Sequence, residues 1–224
     1  MTNRRGFHIR SAAGISALLT ATTLLSGCGS DTPSRNPDAA PSKTSAPNVS
    51  QDVALDATLL ESALPRQRNV PSNFSSERNI KAWDGSKSDF CLSDRWAESW
   101  CAKAISIGVA GFTDMEDEEL EIYVISLPGA DTAERLFTSK GTEAEVGSNP
   151  PGDQIDRFEI SSSPSTGLDG EGVTVRQGGV IARIEYTRSP GTQTSDQELM
   201  AITTMVVKRI QQAQRGENPT ASVE

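Results

Sequence analysis

Histidine is almost missing from this chain of 224 residues: its single copy, His8, sits in the first ten residues. The remainder therefore has no Ser-His-Asp or Cys-His catalytic arrangement, no imidazole zinc ligand and no side chain of the usual neutral-pH switch type. Cysteine is scarce, at Cys28, Cys91 and Cys101, too few for a disulfide-dense scaffold or a four-cysteine zinc site. Basic residues are in deficit, 21 Lys and Arg against 30 Asp and Glu, net −9. That balance argues against a nucleic-acid binder and against adhesion to anionic membrane surfaces. Long apolar runs are absent too. The best, 11–27, is 17 residues interrupted by Gly14 and several threonines, and a membrane span needs ~20 mostly apolar residues.

The first 27 residues nevertheless follow a definite order. Arg4, Arg5 and Arg10 come first, then a short apolar core with Ile15, Leu18, Leu19, Leu24 and Leu25, then small Ser26 and Gly27 before Cys28. This is the order of an export signal. The stretch Leu25-Ser26-Gly27-Cys28 resembles the lipobox of bacterial lipoproteins. That resemblance implies cleavage between Gly27 and Cys28 and a diacylglyceryl thioether, with palmitate-type acyl chains, on Cys28. A thiolate is nucleophilic enough for that bond, and two acyl chains anchor stably where one is marginal. The implied location is the extracytoplasmic face of the cell membrane. Asn3-Arg4-Arg5-Gly6-Phe7 also resembles a twin-arginine export motif, so the general and twin-arginine routes both remain open.

Cleavage removes three arginines and no acid, leaving 18 basic against 30 acidic residues, net −12. With Cys28 on lipid, Cys91 and Cys101 form an even pair in an oxidising compartment and are expected to make a disulfide. Ten residues of straight helix would hold their Cα atoms ~15 Å apart. A bridge reaches ~7 Å at most, so the chain between them must fold back.

Residues 28–50 are rich in Ser, Pro, Ala, Thr and Asp and cannot bury a core. They read as a disordered tether, spanning roughly 25 Å as a coil. Residues 51–215 carry folded-domain patterning, and 216–224 read as a disordered tail. Within the domain, Leu55, Leu59, Leu60 and Leu64 recur at helical spacing over 52–64. Ser50 or Asp52 can cap that helix, and Pro65 ends it. Residues 66–89 read as loop with one short strand. Trp83, Phe90, Trp96 and Trp100 fall within 18 residues. They form either an aromatic-lined pocket or a small core closed by the disulfide.

Strands are predicted over 102–113 and 120–127. In the first, Ser106, Gly108 and Ala110 make a face small enough for close packing. The acidic run 114–119 between them is either a solvated hairpin loop or a carboxylate site for a hard cation. A helix opens at Asp131, with Glu134 as capping partner and Ala133, Leu136 and Phe137 inward. A strand covers 154–162, and 172–188 read as a hairpin turning at Gly178-Gly179. Ser195 and Glu198 make a capping box for the longest helix, 196–215, whose stripe Leu199, Ile202, Val206 and Ile210 should dock on the sheet.

Taken together, 102–112, 120–127, 131–140, Gly152-Asp153 and 172–186 resemble the extracytoplasmic sensor-like domains of actinobacteria. Those occur in lipoproteins and at the outer end of some receptor-type serine/threonine kinases. The resemblance implies an α+β fold, an antiparallel sheet with helices packed on one face in a single domain. The kinase sensors usually carry two disulfides, whereas this chain has one cysteine pair.

The function expected is a non-enzymatic binding or sensing module held to the membrane through Cys28, for an unknown small-molecule or protein ligand. No metal site and no cofactor are expected. Two alternatives stand beside it. One is a structural or interaction protein of the envelope. The other is a carboxylate-dependent hydrolase using Asp153/Asp156 or Asp169/Glu171.

Overall fold

Two stretches, 106–113 and 119–126, carry apolar residues at odd and even positions alike, and 180–188 is apolar from Val180 to Ala182 before it alternates with polar residues. Strands of that kind must be covered on both faces, and they are the middle of the sheet. The computed structural model describes residues 53–85, 96, 98–114, 118–138, 150–161, 167–189 and 195–223. The elements in chain order are α1 (Ala57–Ala63), β1 (Ser76–Asp84), α2 (Glu98–Cys101), β2 (Ser106–Thr113), β3 (Glu119–Ser126), α3 (Ala130–Thr138), β4 (Gln154–Ile160), β5 (Asp169–Gln177), β6 (Val180–Arg188) and α4 (Asp196–Gln214). All strands pair antiparallel in one sheet of order β1-β2-β3-β6-β5-β4. The α+β class and the antiparallel sheet are as expected.

The helices divide between the two faces, which corrects the expectation of a single covered face. On one face α1 and α4 close a core through Leu60, Leu64, Phe112, Ile122, Ile184 and Ile202. On the other, Trp100 of α2 and Leu136 and Phe137 of α3 pack with Ile107, Tyr123, Ile125 and Ile181. The reason lies in β2, β3 and β6, whose alternate residues enter opposite cores. Of the four clustered aromatics, Trp96 and Trp100 are buried in this second core with ring centroids 5.4 Å apart, Trp83 packs against it, and Phe90 lies outside the described residues.

Helix α4 docks as its stripe predicts. Leu199, Ile202, Val206 and Ile210 are all buried, each stabilising by about 1.5–3 kcal/mol. The Ser195 hydroxyl accepts from the Glu198 N–H at 3.4 Å. The Glu198 carboxylate turns instead to Arg188 and Tyr186, so only half of the expected capping box forms. Gly216, at φ 71°, stops the helix.

Helix α1 starts later than its apolar spacing predicts. Asp56, not Ser50 or Asp52, is the cap, and its carboxylate accepts from the Leu59 N–H at 2.8 Å. Leu55 therefore precedes the helix, and Leu59 points outward, 37 % exposed. Leu64 takes the extended conformation required before Pro65. In α3 the chain is already helical at Ala130, so Asp131 lies in the first turn, and Ala133, Leu136 and Phe137 are buried as expected.

Two further departures follow from contacts that local pattern does not carry. Strand β1 is nine residues long where one short strand was expected. It is an edge strand with exposed polar residues, broken by an irregularity between Arg78 and Lys81 with Asn79 at φ 50°. The tail after Gly216 was expected to be disordered. Over 217–223 it is tied down: the Thr220 N–H donates to Gln212 Oε1, and the Val223 N–H donates to the Asn69 carbonyl at 2.8 Å. Ala221 and Val223 also pack on the core. The expected leader, lipobox and tether, Cys91, and positions 115–117 of the acidic run lie outside the described residues. Among the described residues no helix is long and apolar enough to cross a membrane.

Candidate functional site

Strand register gathers polar side chains on the sheet face opposite α1 and α4. Val173 and Val175 of β5, and Ala182 and Ile184 of β6, enter the α1/α4 core, so Thr174 and Arg183 between them face the other way. Tyr123 pairs with Arg183, Arg183 with Thr174, and Thr174 with Asp156, a row across β3, β6, β5 and β4. The next row is Glu121, Glu185, Gly172 and Phe158.

Arg183 is fixed from two sides. Its guanidinium carbon lies 3.8 Å from the centre of the Phe158 ring. Its Nε donates to Glu185 Oε1 at 2.5 Å. The side chain is 19 % exposed, and that of Glu185 only 4 %. Phe158 can lie there because residue 172 is glycine: a Cβ at that position would stand 2.1 Å from the ring. Beside Arg183 the Thr174 hydroxyl, 2 % exposed as a residue, has no hydrogen-bond partner among the described residues. The Tyr123 hydroxyl donates to Glu121 Oε2 at 2.5 Å.

The carboxylates considered for acid–base work are distributed differently. Asp153 Oδ2 accepts from Arg176 Nη1 at 3.1 Å and from the Gly178 N–H at 2.7 Å, so it braces the β5–β6 turn. Asp156 stands on β4 opposite Thr174. Glu171 lines a cleft of about 320 Å³ between β4, β5 and the start of α4, with Arg157, Glu159, Asp196 and Leu199. Arg157 spans that cleft to Asp196 at 3.0 Å. Asp169 stands further along β5, opposite Arg188. A second opening, about 450 Å³, runs between α1 and β1 and is lined by Thr58, Glu61, Arg66 and Ala82.

The described ends of the acidic run also have structural partners. Asp114 Oδ1 accepts from the Glu118 N–H at 2.8 Å, and Arg78 pairs with Glu119 at 2.9 Å. Glu118 and Glu198 hold Arg188 between them at 3.1 and 3.2 Å, and Tyr186 donates to Glu118 at 2.9 Å. Burial pushes the Tyr186 hydroxyl well above its ordinary value. Burial opposes the charge on Arg188, but the Tyr186 hydrogen bond and the two carboxylates outweigh it and raise its pKa. Among the described residues no group of three or more acidic, His or Cys side chains could hold a metal ion. Cys101 ends α2, and its expected partner Cys91 lies outside the described residues.

Local pattern did not single out Arg183 or Phe158 beyond their strands. The available signal was polar Thr174, Arg176, Arg183 and Glu185 on alternate positions of an otherwise apolar hairpin.

No protein-family model matches this chain, and no curated protein matches it. Among solved structures it is similar to the extracellular domain of PknH from Mycobacterium tuberculosis, at 12 % identity and a TM-score of 0.43, over 74 % of this chain and 99 % of that one. A likeness of that size carries no residue role to this chain.

Proposed function

We propose that this protein is an extracytoplasmic binding module, anchored by lipid on Cys28 and without catalytic chemistry of its own. The observation that carries the binding reading is the preset Arg183 guanidinium, stacked on Phe158 and braced by Glu185. A fixed donor of that kind serves recognition, because its geometry is in place before anything binds. Catalysis by a carboxylate pair has less support, since Asp153 already braces a turn. The anchor rests on Leu25-Ser26-Gly27-Cys28 and the polar 28–50 stretch behind it. A Cys91–Cys101 disulfide belongs to the same reading. It would close an 11-residue loop and stabilise by about 2.8 kcal/mol in the chain-entropy model.

The test is intact-mass analysis of the chain extracted from membranes of its native host. The expected species starts at Cys28, is heavier by a diacylglyceryl group and lighter by two hydrogens. Cys28→Ala should move the protein out of the membrane fraction. Recovery of an unlipidated chain from wild-type cells, or of Cys28→Ala still in membranes, would refute the anchor. Two free thiols per exported chain would refute the disulfide.

A further inference from the structure

We propose that Arg183 and Thr174 bind a carboxylate group of a small ligand, a statement that names the ligand chemistry of the binding module and rests on that reading. The guanidinium has five N–H donors in a flat fork. Glu185 takes the Nε edge, and Phe158 covers one face. Among the described residues no hydrogen bond takes the two Nη atoms, and the side chain remains partly open to solvent. An arginine held in that way offers its outer edge as a pair of parallel donors, the geometry that fits a planar carboxylate.

Thr174 supplies the independent observation. A buried hydroxyl without a partner is destabilising, and this one, unpartnered among the described residues, stands directly opposite Arg183 in the strand register. A carboxylate oxygen on the Arg183 fork would give that hydroxyl an acceptor. Cations are excluded by the chemistry, since the guanidinium is a donor only. Between anions, the surroundings decide. Glu185 neutralises the arginine charge, while Glu121 and Asp156 stand in the adjoining positions. A singly charged carboxylate meets less repulsion there than a dianionic phosphate.

The experiment uses the full exported chain, labelled with 15N, and titrates it with sodium acetate, sodium phosphate and sodium chloride at matched ionic strength. The Arg183 Nε–Hε and Thr174 amide signals should shift and saturate with acetate, and not with chloride. Arg183→Gln should weaken acetate binding at least about tenfold and Thr174→Val about threefold, with the remaining signals unmoved. If Arg183→Gln disturbs the fold, Arg183→Lys keeps the charge without the fork and should also weaken binding. A non-saturating response, tighter binding of phosphate, or full binding by Arg183→Lys and Thr174→Val would each overturn the assignment. The membrane and mass measurements above are separate. A lipid-free chain that still saturates with acetate keeps the site and discards the anchor, whereas a lipidated chain deaf to acetate does the reverse.

Discussion

The Arg209 guanidinium lies against the end of α1, its Nε donating to the Ala63 carbonyl at 2.9 Å. Its two Nη atoms donate to the carbonyls of Ser62, Leu64 and Ala221. A buried cation is thus held by carbonyls at the negative end of a helix, and the same group ties the C-terminal segment to α1. Arg209→Met removes the cost of burying a charge but leaves these carbonyls without their donors. The second effect is larger, and the variant should lose about 2 kcal/mol in urea unfolding at neutral pH. Equal midpoints for the two proteins would refute this.

Burial, with Arg68 and Arg66 adding to it, lowers the pKa of Arg209 from the ordinary arginine value to about 10. Below pH 10 the group is charged in both folded and unfolded chains, so its contribution is flat. Above pH 10 the unfolded chain still holds a proton that the folded one has released, and stability from this group rises with pH. The gap between wild type and Arg209→Met should therefore widen as pH climbs past 10. A gap that narrows would contradict the direction given.

Tyr186 and Arg188 sit in one network with Glu118 and Glu198, and removing each should have a different effect. Tyr186→Phe keeps the ring that packs 5.5 Å from Phe74 and loses only the hydroxyl, at about 1 kcal/mol. Arg188→Met leaves two carboxylates facing each other and should cost about 3 kcal/mol. Denaturant unfolding that reverses this order would show that the hydroxyl, not the cation, organises the cluster. The raised Tyr186 pKa also predicts a pH effect. Its stabilising contribution is complete below pH 10 and declines above it, as the unfolded tyrosine ionises first. Alkaline titration at 295 nm should show one of the two tyrosines ionising late, and Tyr186→Phe should abolish that late step.

Gly108 lets α1 approach β2. A Cβ there would stand 3.3 Å from side-chain carbons of both Leu60 and Leu64. Gly108→Ala should cost little, under about 1 kcal/mol, while Gly108→Val forces those leucines aside at about 1–3 kcal/mol. Thermal unfolding of the two variants checks the difference, and equal midpoints would mean that α1 moves freely away from the sheet.

The close approach at Gly108 was legible because small residues alternate in that strand. The hairpin at Gly178-Gly179, with Gly178 at φ 56°, and the stripe of α4 were legible for the same reason: spacing and turn chemistry are local. Strand β1 was not, since Ser76 to Asp84 is an exposed edge and has no buried alternation to read. The second helical layer was hidden because an apolar strand does not say which partner covers each side. The candidate site was hidden more deeply. Phe158, Gly172, Thr174 and Arg183 meet only through register between strands, and Arg183 in isolation is an ordinary strand position. Likewise the tail looks polar and frayed until Arg209 and Gln212 are seen to hold it.

The strand order also bears on how the chain reaches this state. β1, β2 and β3 pair in succession, as do β4, β5 and β6, and the two meanders meet only along β3 and β6, where Ser126 faces Val180 and Glu119 faces Thr187. Either meander can zip from neighbouring segments. The seam must bring distant parts of the chain together before any of its ladder bonds form, and that loop-closure entropy is lost first. The β3–β6 seam is accordingly the step expected to limit the folding rate.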